Sequence, residues 1–325
     1  MKILVAGVGG IGGWLAGSLA RGGADVTLFA RGLTLGRLRE DGLTLQSADS
    51  SETFRLPVWD GSGVLDRQDM VLLCVKAQDL GGIAEMIAPT FAGGPRVSAV
   101  VNGLPYWFLD GLDTPFADKT LYTIDPGDKA HALLAACAPL GTVVHASSAA
   151  VEPGVVRVAK ADRLIIGEPD GTISDDAKEL SRLCEAGGIS APVVDNIRTE
   201  IWAKLWGNMS VNPISALTQM TTGPMHALKE TRALIVAMME EFDGLGQRIG
   251  LALPMGVEER IRITEVLGDF RTSMLADLQA GRRLEIDGIL GCVIELADRL
   301  DEPVPASRAV YALTKGLDRT LTKKR

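Results

Sequence analysis

The chain has 325 residues, 46% of them hydrophobic and 23% charged, with 37 glycines and a formal net charge of −8. That composition is globular, the length suits about two domains, and the acidic balance argues against a nucleic-acid partner, which asks for a basic face. Cys74, Cys137, Cys184 and Cys292 form no C-x-x-C pair, so neither a zinc site nor a disulfide framework is expected, and a reducing compartment fits.

The first apolar run, Lys2 to Ala6, reads as a strand. A glycine cluster follows at Gly7, Gly9, Gly10, Gly12 and Gly13, and a helical pattern runs from Ile11 to about Arg21. Further β-type runs lie at Val26–Ala30, Val71–Val75 and Val97–Val101. Unbroken apolar runs of this length suit parallel strands buried on both faces, and their alternation with helical stretches argues for a doubly wound α/β domain. Short β-runs around Val143, Val155–Val158 and Leu164–Ile166, with a turn at Pro153-Gly154, read as a further, antiparallel part of that sheet. A helix near Asp175–Ala186 and a strand at Ala191–Val194 read as one more unit. Beyond Ile197 the pattern turns to long helices: Thr199–Met209, Lys229–Ile249, Met255–Leu267 and Leu284–Leu300. The expected division is a Rossmann-type domain over 1–195 and an all-α domain over 196–325. The Lys323-Lys324-Arg325 tail reads as a solvated terminus. No apolar run approaches the roughly 18 residues of a membrane span, and the glycine-rich start is unlike a signal peptide. A cytoplasmic protein without membrane association is expected.

Gly7-Val8-Gly9-Gly10-Ile11-Gly12 is G-x-G-x-x-G, placed after a strand and opening a helix, the context that makes the motif a dinucleotide site. Gly7 serves the tight turn, Gly9 admits a pyrophosphate, and Gly12 lets helix and strand pack closely. The second strand ends in Ala30-Arg31 with no carboxylate to hold a ribose hydroxyl. Arg31 suits a 2′-phosphate, so NADP is expected over NAD; its other reading is a solvated strand-end charge. Lys76 ends the next strand, as a second cation near the cofactor or as a surface lysine. Asn102-Gly103 ends the one after, as a hydrogen-bonding amide or as a turn.

In the helical half, Lys204, Asn208 and Asn212 recur every four residues among apolar neighbours, so they share one helix face. The row is either an amide ladder between helices or a ligand-facing strip. A half-buried lysine beside a carbonyl can donate a proton as hydride arrives. His131, His145 and His226 stand in no metal-ligand spacing, and no metal is expected. Ser273 and Glu285 read as a helix cap and a surface acid, or as groups for a substrate carboxylate and hydroxyl.

These residues together resemble the ketopantoate reductases over nearly the whole chain. The resemblance rests on the glycine loop, Arg31, Lys76, Asn102-Gly103, the K-x-x-x-N-x-x-x-N-P row ending at Pro213, and Ser273-Met274-Leu275 through Glu285. It implies NADPH-dependent reduction of ketopantoate to (R)-pantoate, a precursor of pantothenate and coenzyme A. It implies Lys204 as proton donor, Asn208 and Asn212 on substrate, and Ser273 on the substrate carboxylate. Asn102 would touch cofactor and substrate, Glu285 would lie at the nicotinamide end, and Ala150 would make a cofactor backbone contact. Val8, Gly10 and Ile11 belong to the cofactor loop. Three departures stand near the expected active-site mouth: Tyr106-Trp107, the longer segment that includes Thr123–Gly127, and Thr222 in place of an asparagine. They leave the reaction type intact and bear on the substrate, so a related branched 2-keto acid stands beside ketopantoate. An opine-type or 3-hydroxy-acid dehydrogenase and a non-catalytic NADPH-binding regulator are the other readings. The apolar surface of the long helices is open to a homodimer.

Overall fold

The structure is a computed structural model that describes residues 1–116, 120–253, 255–266 and 268–322. The terminal Lys323-Lys324-Arg325 lies outside the described residues. Two compact units emerge. One holds Met1–Val101, Pro105–Phe108 and Gly127–Glu200; the other holds Asn102–Leu104, Leu109–Pro126 and the chain from Ile201 onward.

The strands of the first unit are β1 Lys2–Ala6, β2 Asp25–Phe29, β3 Leu43–Gln46, β4 Ser51–Phe54, β5 Val58–Trp59, β6 Met70–Leu73, β7 Arg96–Ala99, β8 Ala138–Pro139, β9 Gly141–Glu152, β10 Val155–Gly167 and β11 Val193–Val194. Six of them form a parallel sheet in the order β5-β2-β1-β6-β7-β8. Ile3 to Ala6 are fully buried in succession, and Met70 to Leu73 are at most 1% exposed. Successive residues point to opposite faces, so both faces of these strands are covered. The chain leaves β1 toward β2 on one side and later returns to β6 on the other. That reversal of strand order opens a crevice at the carboxyl ends of β1 and β6.

The runs between residues 140 and 168 correct one expectation. They belong to a second sheet, in the order β11-β10-β3-β4 with β9 paired to β10. Pro139 in β8 has no N–H for a further ladder bond, which ends the parallel sheet at that edge. The chain then turns into the long antiparallel pair β9–β10, whose start at Val155–Arg157 runs parallel to Thr44–Gln46 of β3.

The second unit is helical: the remainder of a helix spanning Ile197–Thr218, then Thr222–Ala227, Lys229–Arg248, Val257–Val266 and Ser273–Gln279. A π-helical turn at Asp287–Gly291 leads into Cys292–Leu300, and Pro305–Thr322 follows. The first of these helices passes through Pro213 without ending. Leu284 and Glu285 precede the stretch that runs to Leu300 instead of opening it. Packing is anchored by Trp202, stacked on Phe242 with ring centroids 3.9 Å apart, and by Trp206, which donates its indole N–H to the Met239 carbonyl at 2.9 Å. The Glu241 carboxylate accepts the N–H groups of Ala306 and Ser307 at 2.7 and 2.9 Å, satisfying two otherwise orphan donors at a helix start.

His226 is buried in this unit, and among the described residues neither ring nitrogen has a hydrogen-bond partner. Burial holds its imidazole below the usual histidine range, with Glu265 opposing and Arg232 adding to the effect. A base whose folded pKa is depressed binds its proton more readily in the unfolded chain. Stability is therefore expected to fall as pH drops below about 6.5. Thermal melting of the protein and of His226→Leu across pH 5–8 checks this: the variant should lose part of the acid-side slope.

Candidate active site

The loops after β1, β2 and β6 enclose a cleft of about 620 Å³ in the first unit, lined among others by Gly7, Val8, Gly9, Arg31, Thr34 and Gln78. Gly7 has φ +100°, and a Cβ there would lie 2.5 Å from the Cys74 carbonyl oxygen. Gly12 sits so close beneath the turn that its Cβ would come 1.9 Å from the Gly7 oxygen. Gly9, by contrast, faces open space among the described residues and caps the helix Gly10–Arg21. The first N–H groups of that helix are free to bind an anion, and its dipole favours one. Gly10 and Ile11 begin the helix rather than line the cleft; a Cβ on Gly10 would lie 2.4 Å from the Ser148 oxygen on β9. Close approach is thus also what Gly10 provides, a role the motif does not advertise. Ala150, two residues farther along β9, is exposed.

Arg31 is exposed on the cleft rim, where it caps the helix Gly32–Glu40. Among the described residues no carboxylate pairs with it. Lys76 follows Val75 of the lining and is half-buried at the start of a short 3-10 turn. A narrow glycine turn, a helix start and a strand-end guanidinium around one cleft fit the pyrophosphate and ribose of a dinucleotide.

In the second unit, Lys204, Asn208 and Asn212 share one face of the Ile197–Thr218 helix. Asn208 donates its amide N–H to the Asn102 Oδ1 at 3.2 Å, although 106 residues separate them. The neighbouring Gly103 has φ +120°, and a Cβ there would lie 2.0 Å from the Gly288 oxygen. Asn102-Gly103 is therefore seated against the π-helical turn. That turn is braced in its own right: the Asp287 carboxylate accepts from the Tyr311 hydroxyl at 2.8 Å and pairs with Lys315. Burial draws the Lys204 ammonium down to about 8, and the Glu285 carboxylate opposes the shift. The lysine is thus protonated near neutrality yet poised to release its proton. Asn212 is buried at the far end of the row.

Residues 3–107 match the family model described as ketopantoate reductase PanE/ApbA, and residues 196–318 match its C-terminal counterpart. A 2-dehydropantoate 2-reductase from Mesorhizobium japonicum is 38% identical over 320 residues, covering 98% of each chain. The chain belongs to the ketopantoate reductase family. A 2-dehydropantoate 2-reductase from Halobacterium salinarum is 27% identical, over 97% of this chain and 98% of its own. A crystal structure from Ralstonia solanacearum MolK2, described as a candidate ketopantoate reductase, superposes with TM-score 0.91 at 34% identity over 98% of both chains. Family membership makes the chain an NAD(P)-dependent oxidoreductase.

Within this ketopantoate reductase framework the three departures are built into the folded units. Tyr106 and Trp107 are 4% and 1% exposed, packed into the first unit. The Trp107 ring packs against the Arg198 guanidinium, 5.2 Å from its centroid, and Arg198 also donates to the Phe108 and Pro169 carbonyls. Thr222 is 1% exposed, and its hydroxyl ties to Gly268 and Phe270. The segment around Thr123 is pinned by Glu295, whose carboxylate accepts the Tyr122 and Thr123 N–H groups at 2.8 Å each. Ser273 is exposed at the start of its helix, while Thr272 does the capping by accepting the Leu275 N–H at 3.2 Å. Sequence reasoning passed over Asp287, Tyr311 and Arg260. The first two meet across 24 residues, a pairing that no local spacing encodes.

Proposed function

We propose that this chain reduces 2-dehydropantoate to (R)-pantoate with NADPH, as a cytoplasmic enzyme. The observation that carries the chemistry is Lys204: an ammonium drawn down to about 8 by burial, set on a helix face beside the Asn208–Asn102 amide pair. NADPH held in the cleft would supply the hydride. Lys204 passes a proton from Nζ to the keto oxygen as the C=O electron pair moves onto it, and the neutral amine then regains a proton from solvent. Asn208 and Asn212 orient the substrate, Asn102 holds the Asn208 amide in place, and Glu285 keeps the lysine charged before the step. Ser273 offers one hydroxyl to the substrate carboxylate. Gly7 to Gly12 would hold the pyrophosphate, Lys76 and Ala150 would contribute further contacts to the cofactor, and Arg31 would take the 2′-phosphate through its planar fork. Incubation with 2-dehydropantoate and NADPH, followed by chiral chromatography, tests this: one (R)-pantoate is expected per NADPH consumed.

The cytoplasmic setting is supported by four free cysteines, of which Cys74, Cys184 and Cys292 have thiols pushed up to about 12 by burial. No described helix is long and apolar enough to cross a membrane. Exposed apolar side chains at Val266 and Leu313 support self-association as a homodimer.

NADPH preference rests on Arg31. Charge-assisted hydrogen bonds contribute about 1.5–3 kcal/mol each, so Arg31→Asp is expected to cut the NADPH-to-NADH ratio of kcat/KM by about 10–100-fold. Steady-state rates with both cofactors check it, and equal use of NADH by the unmutated protein would overturn the assignment.

A further inference from the structure

Arg260 lies on the helix Val257–Val266, and its guanidinium crosses the Lys204 helix at Gly207. A Cβ on Gly207 would lie 2.5 Å from Arg260 Nη2. The side chain reaches Thr264 Oγ1 at a long 3.4 Å, and among the described residues no carboxylate pairs with it. Arg232, Arg248, Arg299 and Arg308 of the same unit each pair with a carboxylate. Glu258, two residues before Arg260, is taken by Arg232 at 2.8 Å. Burial lowers the Arg260 guanidinium from its usual range with no carboxylate opposing, yet an arginine keeps its charge in a protein. A part-buried cation without a counter-charge is costly unless an anion is supplied from elsewhere.

The position tells which anion. At about 100° per residue, Gly207 lies roughly 60° around the helix from Lys204 on one side, and Asn208 about 40° on the other. Lys204 is therefore flanked by the Asn208–Asn102 amides on one side and by the Arg260 guanidinium on the other. A 2-keto acid carries its carboxylate on the carbon next to the keto group.

We propose that Arg260 binds the carboxylate of the 2-keto acid whose keto oxygen faces Lys204, and that residue 207 is glycine so that the guanidinium can lie there. The inference rests on the reductase reading above. A planar fork matches a carboxylate in two hydrogen bonds, which fixes the orientation of the keto carbon as well as holding the charge.

Kinetics with 2-dehydropantoate test this. Arg260→Gln is expected to raise KM by about 30-fold or more, with kcat changed less and NADPH affinity by fluorescence titration kept within about twofold. Arg260→Lys, keeping the charge without the fork, should fall between. Gly207→Ala leaves the arginine in place and displaces its guanidinium, and KM should rise by about 10-fold. Circular dichroism and melting establish that each variant is folded. KM within twofold in folded Arg260→Gln overturns the proposal; should that variant not fold, KM within twofold in Gly207→Ala overturns it. If the unmutated protein reduces no 2-keto acid, the reductase reading fails first and takes this inference with it. If it reduces them and the variants match it, Arg260 alone is misassigned.

Discussion

Lys204→Ala is expected to lower turnover of 2-dehydropantoate by about 10²–10⁴-fold, the range typical of a positioned proton donor. NADPH affinity should stay within about twofold, because the cofactor loop and Arg31 are built by different elements. The unmutated enzyme should also show a characteristic pH dependence. The ammonium, not the amine, is the donor, and burial draws its pKa down to about 8. Turnover should therefore hold below that value and decline as pH rises through it, each unit of pH above costing about tenfold in protonated lysine. Glu285 opposes the burial effect. Glu285→Gln should consequently shift the decline to lower pH. A decline that stays in place in Glu285→Gln, or turnover that survives in Lys204→Ala, would assign the proton to another group.

Gly12→Val is expected to abolish tight NADPH binding and to destabilise the first unit by about 1–3 kcal/mol, the usual cost of forced overpacking. The reason is backbone on both sides. A Cβ at residue 12 would come 1.9 Å from the Gly7 oxygen, and the Gly7 turn is itself held against the Cys74 carbonyl. Neither neighbour is a flexible side-chain end that could swing away. Gly36→Ala provides the contrast. Gly36 is exposed in the helix Gly32–Glu40 with no described atom near its would-be Cβ. There alanine should be neutral or stabilising by about 0.5–1 kcal/mol. Thermal melts of both variants, with and without NADPH, read the difference: the cofactor should raise the melting temperature of Gly36→Ala and leave that of Gly12→Val unmoved.

Much of this was legible in the residues. Four of the six parallel strands, β1, β2, β6 and β7, announced themselves as apolar runs, while β5 and β8, two residues each, did not. The glycine loop stood between the first strand and a helix. The Lys204 row showed through its spacing of four, which survives inside one helix whatever packs around it. The second sheet was not legible as such. β3 shows only Leu43 and Leu45 alternating with polar residues, β4 is largely exposed, and the association of β3 with β10 joins residues more than a hundred apart. Long-range partners were hidden for the same reason. The Asn102–Asn208 amide bond and the Asp287–Tyr311 brace depend on chain reversals that no window of sequence contains. The burial of Tyr106, Trp107 and Thr222 was hidden as well, because residue type does not fix it and burial belongs to the folded unit.

The most direct test of the proposed chemistry is NADPH oxidation followed across a panel of carbonyl substrates: 2-dehydropantoate, other branched and aryl 2-keto acids, opine precursors and 3-keto acids. The highest kcat/KM is expected for 2-dehydropantoate, with NADPH well ahead of NADH. Tight NADPH binding with no oxidation by any member of the panel would contradict it and leave a cofactor-binding protein without a reductase reaction.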